Sequence, residues 1–518
     1  MGLLGCVVMM ALTTPSDRFE VTAAGRPLAV EAFHDVSYAR FTLAAAAPAP
    51  VEIHFKSKVR SARAIPASAV EGLTTGGNAI RFTLRRPANV AVLVNQDQRL
   101  FLFADPPETE VPGPNALDVV ERGADPTGKT PSTTALQKTI DAAATSGGTV
   151  LVPAGLFVTG TLVMRSRVTL YLASGAVLRG SGDPADYPKD PGRHETGSDE
   201  SIQSADQRYQ GQTMTFSRLI LFDGAEAARI IGRGTIDGNG SHLRRERNAV
   251  PNLIRIRRGR RISIKDVLLR DAAAWTVHVL AARDVHLDNV KILNDRANLN
   301  TDGVDVDSSQ DVSVRGSFIH TKDDAVCVKA TNNSDLLADV ERVEVTGNVL
   351  SSTDAAMKVG TESQAAHFRD IQFRDNDVFD TGRAMSVVVR DGAAYARIAF
   401  RDIRVGPGVT HLVEQVIGVR SGRKKALGTV ERLTFENVDA PFYERPASNW
   451  TWYAQFRPDA PAMYGDVPVF RGADATHAVR GLTLRNITVG GARLTDRAAA
   501  ERVANLTIGP FVEGVVIE

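Results

Sequence analysis

The N-terminal part of the chain alternates apolar and polar residues over short runs. Between residues 17 and 105 such runs recur, for example at residues 51–55 and 90–94. A period of two residues is typical of strands with one buried face, and the turn-forming clusters between the runs suit an antiparallel sandwich. Pro106-Pro107 and Pro112-Gly113-Pro114 predict a stiff linker. We therefore expect a small β-sandwich domain over residues 17–110.

One amphipathic helix is predicted after the linker. Pro131 with Ser132 or Thr133 provides its start, apolar residues at 136, 140 and 143 form one face, and two glycines at 147–148 end it. Short strands follow, and the pattern predicts no comparable second helix before residues 497–503.

From residue 260 onwards the chain repeats a short unit, in which an alternating strand is followed by Asn or Asp and another apolar position. The central apolar residues of successive units lie 23, 27, 31, 28 and 27 residues apart, at Ile264, Leu287, Val314, Val345, Phe373 and Phe400. A loose period of this length without a helix in each repeat indicates a parallel β-solenoid, which we place at residues 115–518. The predicted fold class is therefore all-β, a parallel β-helix preceded by a β-sandwich.

Composition excludes several classes of function. The 518 residues contain 61 Lys and Arg against 60 Asp and Glu, so the charge gives no case for binding nucleic acid or an anionic membrane. The two cysteines, Cys6 and Cys327, have no metal-ligand spacing, and we expect neither a metal nor a cofactor. The oligomeric state is left open.

The apolar run at residues 3–12 is too short to span a bilayer, and no Lys or Arg precedes it. Two interpretations stay open: an export signal over residues 1–16, or a buried first strand. The first predicts a secreted or periplasmic protein.

Two acidic stretches lie about one coil apart in the solenoid. Asp302 follows Asn300-Thr301, and Asp323-Asp324 comes 21 residues later. Equivalent positions of neighbouring coils are about 4.8 Å apart, so three carboxylates are expected to converge. Clustered acids are what glycosidic bond hydrolysis requires, one to protonate the leaving oxygen and others to activate water. Taken alone, an Asp-Asp pair also fits a turn cap.

These stretches, residues 300–305 and 321–329, resemble glycoside hydrolase family 28, the polygalacturonases, and similar segments at 121–125, 232–238 and 274–278 extend the resemblance over about residues 115–440. The resemblance implies a right-handed parallel β-helix, cleavage with inversion, and Asp302, Asp323 and Asp324 as catalytic residues. Asp323 would be the general acid, while Asp302 and Asp324 would hold and deprotonate the attacking water. The order of two domains is also similar to the dextranases and isopullulanases of family 49, which cleave neutral glucans.

The sequence departs from family 28 at two places. Asp354 stands where polygalacturonases have the His of a Gly-His-Gly element, and the Arg-x-Lys element that binds galacturonate has no cation in either register after Gly382. A uronic acid at the cleavage point is therefore in doubt, unless Arg383, Arg390 or Lys358 replaces these cations. The candidate substrate-binding residues are Lys329, Asp354, Lys358, Glu362 and Arg390.

Several residues near these motifs have less specific interpretations. Asp305 and Asp307 alternate with valines and are expected to face solvent or cap a turn. Trp275 is expected in the core rather than as a sugar platform, and His278 is expected to be structural.

The leading hypothesis is a polygalacturonase-like hydrolase of a polysaccharide or oligosaccharide. The alternatives are a polysaccharide lyase on the same scaffold, which would use calcium and a basic residue, and a non-catalytic carbohydrate-binding solenoid. Residues 123–130 also fit the phosphate-binding pattern G-x-x-x-x-G-K-[ST]. One helix followed by hundreds of residues of strand is not the alternating arrangement of nucleotide-binding domains, so we expect no nucleotide.

Overall fold

A computed structural model describes residues 14–44, 48–95, 97–188, 217–331, 336–419, 426–445 and 469–518. The chain divides into two compact units, the first ending at Gly113 and the second beginning at Pro114. This division falls within the second proline-rich stretch. The possible export signal lies almost wholly outside the described residues.

The first unit contains two β-sheets. Its strands are β1 Thr14–Pro15, β2 Phe19–Ala23, β3 Arg26–Leu28, β4 Val30–Phe33, β5 Val36–Thr42, β6 Ala49–Phe55, β7 Ala62–Ile65, β8 Val70–Gly76, β9 Ala79–Leu84, β10 Ala88–Val94 and β11 Gln98–Asp105. One sheet has the order β1-β4-β5-β11-β10-β7 and the other β3-β2-β6-β9-β8. One hydrophobic cluster takes residues from both sheets, for example Ile53 and Leu102, so the unit is a β-sandwich.

The sandwich departs from the antiparallel arrangement at one pair of strands. Strands β5 and β11 run parallel, from Val36 opposite Arg99 to Thr42 opposite Asp105. Alternation of apolar and polar residues sets which face of a strand is buried but not the direction of its neighbour, and the sequence therefore carried no sign of this pair.

The second unit is a right-handed parallel β-helix. Its helices are α1 Thr133–Ala144, α2 Gly240–Arg247 and α3 Arg497–Ala504. Its strands in the first part are β12 Leu117–Asp118, β13 Thr149–Val152, β14 Gly155–Thr159, β15 Leu162–Met164, β16 Thr169–Leu172, β17 Ala176–Gly180, β18 Arg218–Asp223, β19 Arg229–Gly232, β20 Thr235–Asp237, β21 Asn252–Arg257, β22 Arg260–Lys265, β23 Leu268–Arg270, β24 Val277–Leu280, β25 Arg283–Asp288 and β26 Lys291–Leu293. The later strands are β27 Val304–Asp307, β28 Gln310–Arg315, β29 Phe318–Thr321, β30 Val326–Ala330, β31 Val340–Thr346, β32 Val349–Ser352, β33 Ala355–Ser363, β34 His367–Arg374, β35 Asp377–Val378, β36 Thr381–Val389, β37 Ala394–Val405, β38 Val409–Ile417, β39 Thr429–Ala440, β40 Val479–Val489, β41 Ala492–Arg493, β42 Val512–Glu513 and β43 Val516–Ile517.

Successive coils place their strands in three parallel ladders. Ladder A contains β13, β16, β19, β22, β25, β28, β31, β34, β37, β39 and β40. Ladder B contains β14, β17, β20, β23, β26, β29, β32, β35 and the end of β37. Ladder C contains β15, β18, β21, β24, β27, β30, β33, β36 and β38. Each coil therefore turns three times, and the turn from ladder B to ladder C carries the candidate acids.

The repeat read from the sequence is confirmed residue by residue. The six marker residues face one another on consecutive strands of ladder A, from Ile264 opposite Leu287 to Phe373 opposite Phe400. The side chains of Phe373, Phe400 and Phe435 stack with ring centroids 4.9 and 5.2 Å apart. At the turn into ladder B, the amide of Asn348 donates to that of Asn376 at 3.0 Å, so polar side chains satisfy the corner.

The helices agree with expectation at both ends of the β-helix. Helix α1 buries Leu136, Ile140 and Ala143, as its pattern predicts, and α3 covers the predicted region. The prediction of no helix between them is wrong, because α2 occupies Gly240–Arg247. This helix has only eight residues and mostly charged side chains, and so it has little apolar periodicity to detect.

The segment with the phosphate-binding pattern, residues 123–130, forms hydrogen bonds within itself through Asp125. The carboxylate of Asp125 accepts hydrogen bonds from the backbone N–H groups of Thr127 and Thr130, both at 2.8 Å, and from both hydroxyls. Two of the backbone N–H groups and both threonine hydroxyls of this segment are therefore already bonded within it. Among the described residues, no helix is long and apolar enough to cross a membrane.

Candidate active site

Local packing fixes the turn that carries Asp302. The buried amide of Asn294 donates to the carbonyl of Thr301 at 3.1 Å and to the hydroxyl of Thr276 at 2.7 Å, which ties this turn to the previous coil. Gly303 follows Asp302 at a point where a Cβ atom would lie 2.4 Å from the carbonyl oxygen of Ala325. Only glycine fits there, and the close approach of the two coils brings Asp302 against the next turn.

Strand register decides which acids are neighbours. Val304 faces Val326 in ladder C, and the N–H of Gly303 donates to the carbonyl of Asp324 at 2.9 Å. Extended backwards, this register puts Asp302 opposite Asp324, with Asp323 one residue earlier. Asp302 is therefore opposite Asp324 rather than Asp323, and the expected convergence of the three carboxylates is observed.

The three carboxylates form one group with unequal exposure. One oxygen from each of Asp302, Asp323 and Asp324 lies within 4.8 Å of the others. Asp302 and Asp324 are only 3% and 2% exposed, whereas Asp323 is partly exposed. Oδ1 of Asp302 and Oδ1 of Asp324 are buried and have no hydrogen-bond partner among the described residues. Buried polar atoms without a partner mark places where a water or a reacting group is held.

Two lysines bind this group from neighbouring strands of ladder C. Nζ of Lys358 on β33 lies 2.7 Å from Oδ2 of Asp324. Nζ of Lys329 on β30 lies 2.6 Å from Oδ1 of Asp305 and 3.4 Å from Oδ2 of Asp302. Both lysines are more than nine-tenths buried. The predicted binding residues Lys329 and Lys358 therefore contact the acids directly.

Trp275 completes the side of the group nearest Lys329. Nζ of Lys329 lies 4.3 Å from the centroid of the Trp275 ring, a favourable cation–π contact. Trp275 is partly exposed and does not belong to the hydrophobic core, so its predicted core position is wrong. Its place two residues before β24 puts it one coil before Asp302.

Burial and like charge raise the pKa values of the acids. Burial, followed by the charges of Asp305 and Asp323, holds the pKa of Asp302 well above its ordinary value. Burial and then the charge of Asp324 also raise the pKa of Asp323. Burial raises the pKa of Asp305 to about 7 against the opposing effect of Lys329. Protonated carboxyl groups near neutral pH are therefore a property of this group.

The pKa of Lys329 moves in the opposite direction. Burial by itself lowers the pKa of a lysine, but the charges of Asp305, Cys327, Asp302 and Glu362 raise it well above its ordinary value. Lys329 is thus a permanent cation at the centre of the site. Glu362, a predicted binding residue, therefore affects this site by raising the pKa of Lys329.

A second buried acid is bound separately. Oδ2 of Asp307 lies 3.0 Å from Nε2 of His278 and accepts a hydrogen bond from the hydroxyl of Thr331 at 2.7 Å. Burial lowers the pKa of His278 to about 4, so its ring is neutral. Burial raises the pKa of Asp307, but the interactions with His278 and Thr331 together outweigh it and the net shift is downward. The ionised Asp307 and neutral His278 brace three consecutive coils.

Asp305 and Asp307 are both fully buried, so the prediction that they face solvent is wrong. Their side chains point away from the apolar core, as the alternation with Val304 and Val306 requires, but neither is accessible to solvent. Alternation along a strand gives direction and not depth. The sequence analysis named Asp305 but did not assign it to the acidic group, where the structure places it against Lys329.

Arg383 occupies the next part of ladder C, beyond Asp324. It faces Ala355 and is 2% exposed. Its guanidinium forms ion pairs with Asp354 on one side and Glu414 on the other. The predicted binding residue Asp354 is therefore a partner of Arg383. Arg390 follows β36, seven residues after Arg383, and donates to the carbonyl of Val419 at 3.0 Å, so the structure does not bring it to the acids.

Asp302, Asp323 and Asp324 are the residues in the described part of the chain with the spacing of a metal site. The sequence did not show this spacing because it arises between coils. Lys329 and Lys358 already supply positive charge to these carboxylates. The same place therefore suits protons and water better than a divalent cation, which requires ionised oxygen ligands.

Comparison with known proteins gives a match over the part of the chain that contains this site. The model of glycosyl hydrolases family 28 matches residues 195–405, which include all of the predicted site residues. The resemblance to family 28 is confirmed. An exo-poly-alpha-D-galacturonosidase of Dickeya chrysanthemi is 26% identical over 65% of this chain, and a probable polygalacturonase of Vitis vinifera is 28% identical over 42%. The chain spans 62% and 44% of the lengths of these two relatives.

Solved structures of family 28 have the same fold. A hyperthermoactive exopolygalacturonase from Thermotoga maritima matches with a TM-score of 0.57 at 16% identity, over 79% of this chain and 93% of that one. A family 28 exopolygalacturonase from Yersinia enterocolitica matches with a TM-score of 0.55 at 16% identity, over 90% of this chain and 94% of that one. The resemblance to family 49 stays a prediction.

Proposed function

We propose that this protein is a polygalacturonase-like glycoside hydrolase that cleaves O-glycosidic bonds of a polysaccharide or oligosaccharide. The observation that carries the proposal is the convergence of three carboxylates, two of which have a buried oxygen without a hydrogen-bond partner among the described residues. The third carboxylate, that of Asp323, is the partly exposed one. A substrate oxygen and a water molecule are the partners that such an arrangement requires.

In this mechanism Asp323 is the general acid. Burial and the charge of Asp324 raise its pKa, which favours the protonated form that an acid requires, and its exposure lets it reach the leaving oxygen. Asp302 and Asp324 hold the attacking water through their unpartnered oxygens. Asp324, which has the shorter contact with a lysine, takes the proton from this water.

Inversion of configuration is the proposed stereochemical outcome, and the family resemblance supports it. Inverting enzymes have carboxyl groups about 6.5–9.5 Å apart and retaining enzymes about 5–5.5 Å. The 4.8 Å limit here refers to the closest oxygens of the three groups and does not select between these ranges. The anomer of the first product decides the question.

The sugar at the cleavage point is proposed to be uncharged. Among the described residues, Lys358 is paired with Asp324, Lys329 with Asp302 and Asp305, and Arg383 with Asp354 and Glu414. A substrate carboxylate would have to compete with a protein carboxylate for each of these cations. The names of the relatives point instead to galacturonan, which is the second candidate substrate.

A polysaccharide lyase receives less support from these contacts. A lyase requires a basic residue to abstract a proton, but the lysines of this site are bound to carboxylates and the pKa of Lys329 is raised. A polymer substrate is consistent with the proposed secreted or periplasmic location, for which the apolar run at residues 3–12 is the support.

A substrate panel with product analysis tests the proposal. Neutral and acidic polysaccharides and oligosaccharides are incubated with the protein and with Asp323→Asn, and reducing ends are measured. We expect at least one panel member to be hydrolysed by the wild type alone, with the inverted anomer as the first product by NMR. Equal hydrolysis by both proteins, or an unsaturated ultraviolet-absorbing product, contradicts the proposal.

A further inference from the structure

Asp302, Asp323 and Asp324 differ in their contacts with the lysines of this site. Nζ of Lys358 lies 2.7 Å from Oδ2 of Asp324, whereas Lys329 divides its charge between Asp305 at 2.6 Å and Asp302 at 3.4 Å. Among the described residues, no lysine or arginine forms an ion pair with Asp323. Of these three acids, Asp324 is therefore the one with the shortest contact with a cation.

We propose that Lys358 is a positioning residue for the reaction, because its ion pair with Asp324 selects this carboxylate of the three as the base that deprotonates water. The inference rests on the proposed hydrolase function and assigns roles within the same site. Neither residue acts alone: Asp324 touches the water, and Lys358 acts through Asp324.

Burial gives this ion pair its influence. Asp324 is 2% exposed and Lys358 is 8% exposed, so neither charge is stabilised by bulk water. An ionised carboxylate in such a place requires a cation in contact, since burial and like charges otherwise favour the protonated form. Asp302, whose nearest cation is 3.4 Å away and shared, illustrates this by its strongly raised pKa.

Geometry also leaves Asp324 able to accept a proton. Lys358 contacts Oδ2, while Oδ1 is buried and has no hydrogen-bond partner among the described residues. One oxygen thus holds the cation and the other is directed to the reaction. Lys358 comes from β33, the strand that follows β30 in ladder C, so the pair also fixes the spacing of two coils.

Other charged groups lie in and around the same acidic group. They are Asp323 on the same turn, Asp302 and Asp305 on the preceding coil, Cys327 and Lys329 on β30, Glu362 on β33, and Lys322 beside Asp323. Lys358 is the cation in contact with Asp324, at 2.7 Å. Its removal leaves Asp324 without this contact.

The test is the pH dependence of kcat/KM for Lys358→Met on the substrate that the panel identifies. The acidic limb, which reports ionisation of the base, is expected to move upward by about 1–3 pH units, the usual effect of an opposite charge on a carboxylate. The basic limb is expected to move upward as well, because Lys358 also lowers the pKa of Asp323. Lys358→Arg keeps the charge and is expected to keep the acidic limb near its original position.

Lys291→Met is the matched control. Lys291 is fully buried on β26 and donates to the carbonyl of Asn289 at 3.0 Å, outside the acidic group. Its replacement lowers stability through loss of a buried lysine but is expected to leave both limbs unchanged. An unchanged acidic limb in Lys358→Met overturns the inference.

A second comparison avoids an unpaired buried charge. The double variant Asp324→Asn/Lys358→Met removes both charges together, and its kcat is compared with that of Asp324→Asn. If Lys358 acts through Asp324, the added change costs less than about twofold, because interacting residues are not additive. A further loss of tenfold or more refutes the inference. Full activity of Asp323→Asn instead refutes the proposed function itself, so the two failures are distinguishable.

Discussion

Replacement of Asp323 by Asn isolates the proton that the mechanism requires. Asn has nearly the same shape, and its oxygen keeps the hydrogen bond that Oδ1 of Asp323 accepts from the N–H of Asp324 at 2.9 Å. The change removes one carboxyl group from a set of four, since Asp302, Asp305 and Asp324 remain. Folding is therefore expected to be unaffected, because Asp323 is partly exposed and Asn preserves its shape and this hydrogen bond.

The expected loss of activity follows from the role of a general acid. Positioned proton transfer contributes on the order of 10²–10⁴ in rate, which corresponds to about 2.7–5.4 kcal/mol of barrier. Burial and the charge of Asp324 raise the pKa of Asp323, which favours the protonated form that a general acid requires. We expect kcat to fall by that factor on the natural glycoside.

The assay compares two leaving groups on the same sugar. An aryl glycoside with an acidic phenol departs without protonation, so Asp323→Asn is expected to lose much less activity on it than on the natural substrate. Asp302→Asn, which alters the handling of water, is expected to lose activity on both. Retention of more than a third of the wild-type kcat by Asp323→Asn on the natural substrate would falsify the assignment of the acid.

Three further predictions concern charge in the same unit. Chelators are expected to leave the hydrolysis rate unchanged within about twofold, because Lys329 and Lys358 already neutralise the acids; a loss that calcium restores contradicts this. Arg383→Met leaves two acids without their buried cation and is expected to lower the free energy of unfolding by about 3–5 kcal/mol in denaturant titration, against less than about 1 kcal/mol for the exposed pair removed by Arg397→Met. The pKa of His278 is about 4 in the folded protein and 6.5 in the unfolded chain, so its contribution to stability is complete above pH 6.5 and is lost as the pH falls towards 4. His278→Gln is expected to show a smaller fall in unfolding free energy across this window, by about 3 kcal/mol, and an equal fall contradicts the buried neutral histidine.

The solenoid was predictable from sequence because its core repeats the same physical requirement on every coil. Ile264, Leu287, Val314, Val345 and Phe373 each fill the space above the residue before them, and the structure pairs them in that order. Coil lengths vary, but the apolar position cannot move without breaking the stack. A pattern that packing enforces at every turn is visible even when the interval is irregular.

The acidic group was predictable in place but not in detail. The convergence of Asp302 with Asp323 and Asp324 follows from their separation of about one coil. Which of the pair lies opposite Asp302 depends on a single residue of register, and Gly303 sets it through close contact with Ala325. The sequence alone carries no measure of that contact.

Burial and pairing were the least predictable properties of the site. Asp305 reads as a solvent-facing residue of an alternating strand, yet it is fully buried against Lys329. The two partners are 24 positions apart, and their contact depends on side-chain packing across two strands of ladder C. The same holds for Arg383, whose two acids come from different coils.

The unequal coil lengths have a practical consequence. The coil from Val314 to Val345 has 31 residues and the coil from Ile264 to Leu287 has only 23, yet the residues of each pair are opposite one another. The additional residues lie between the paired strands, so neighbouring strands keep their register when the length of a connecting segment changes. Lengthening or shortening a connecting segment beside the acids is thus a way to change the sugar preference while preserving the reacting groups.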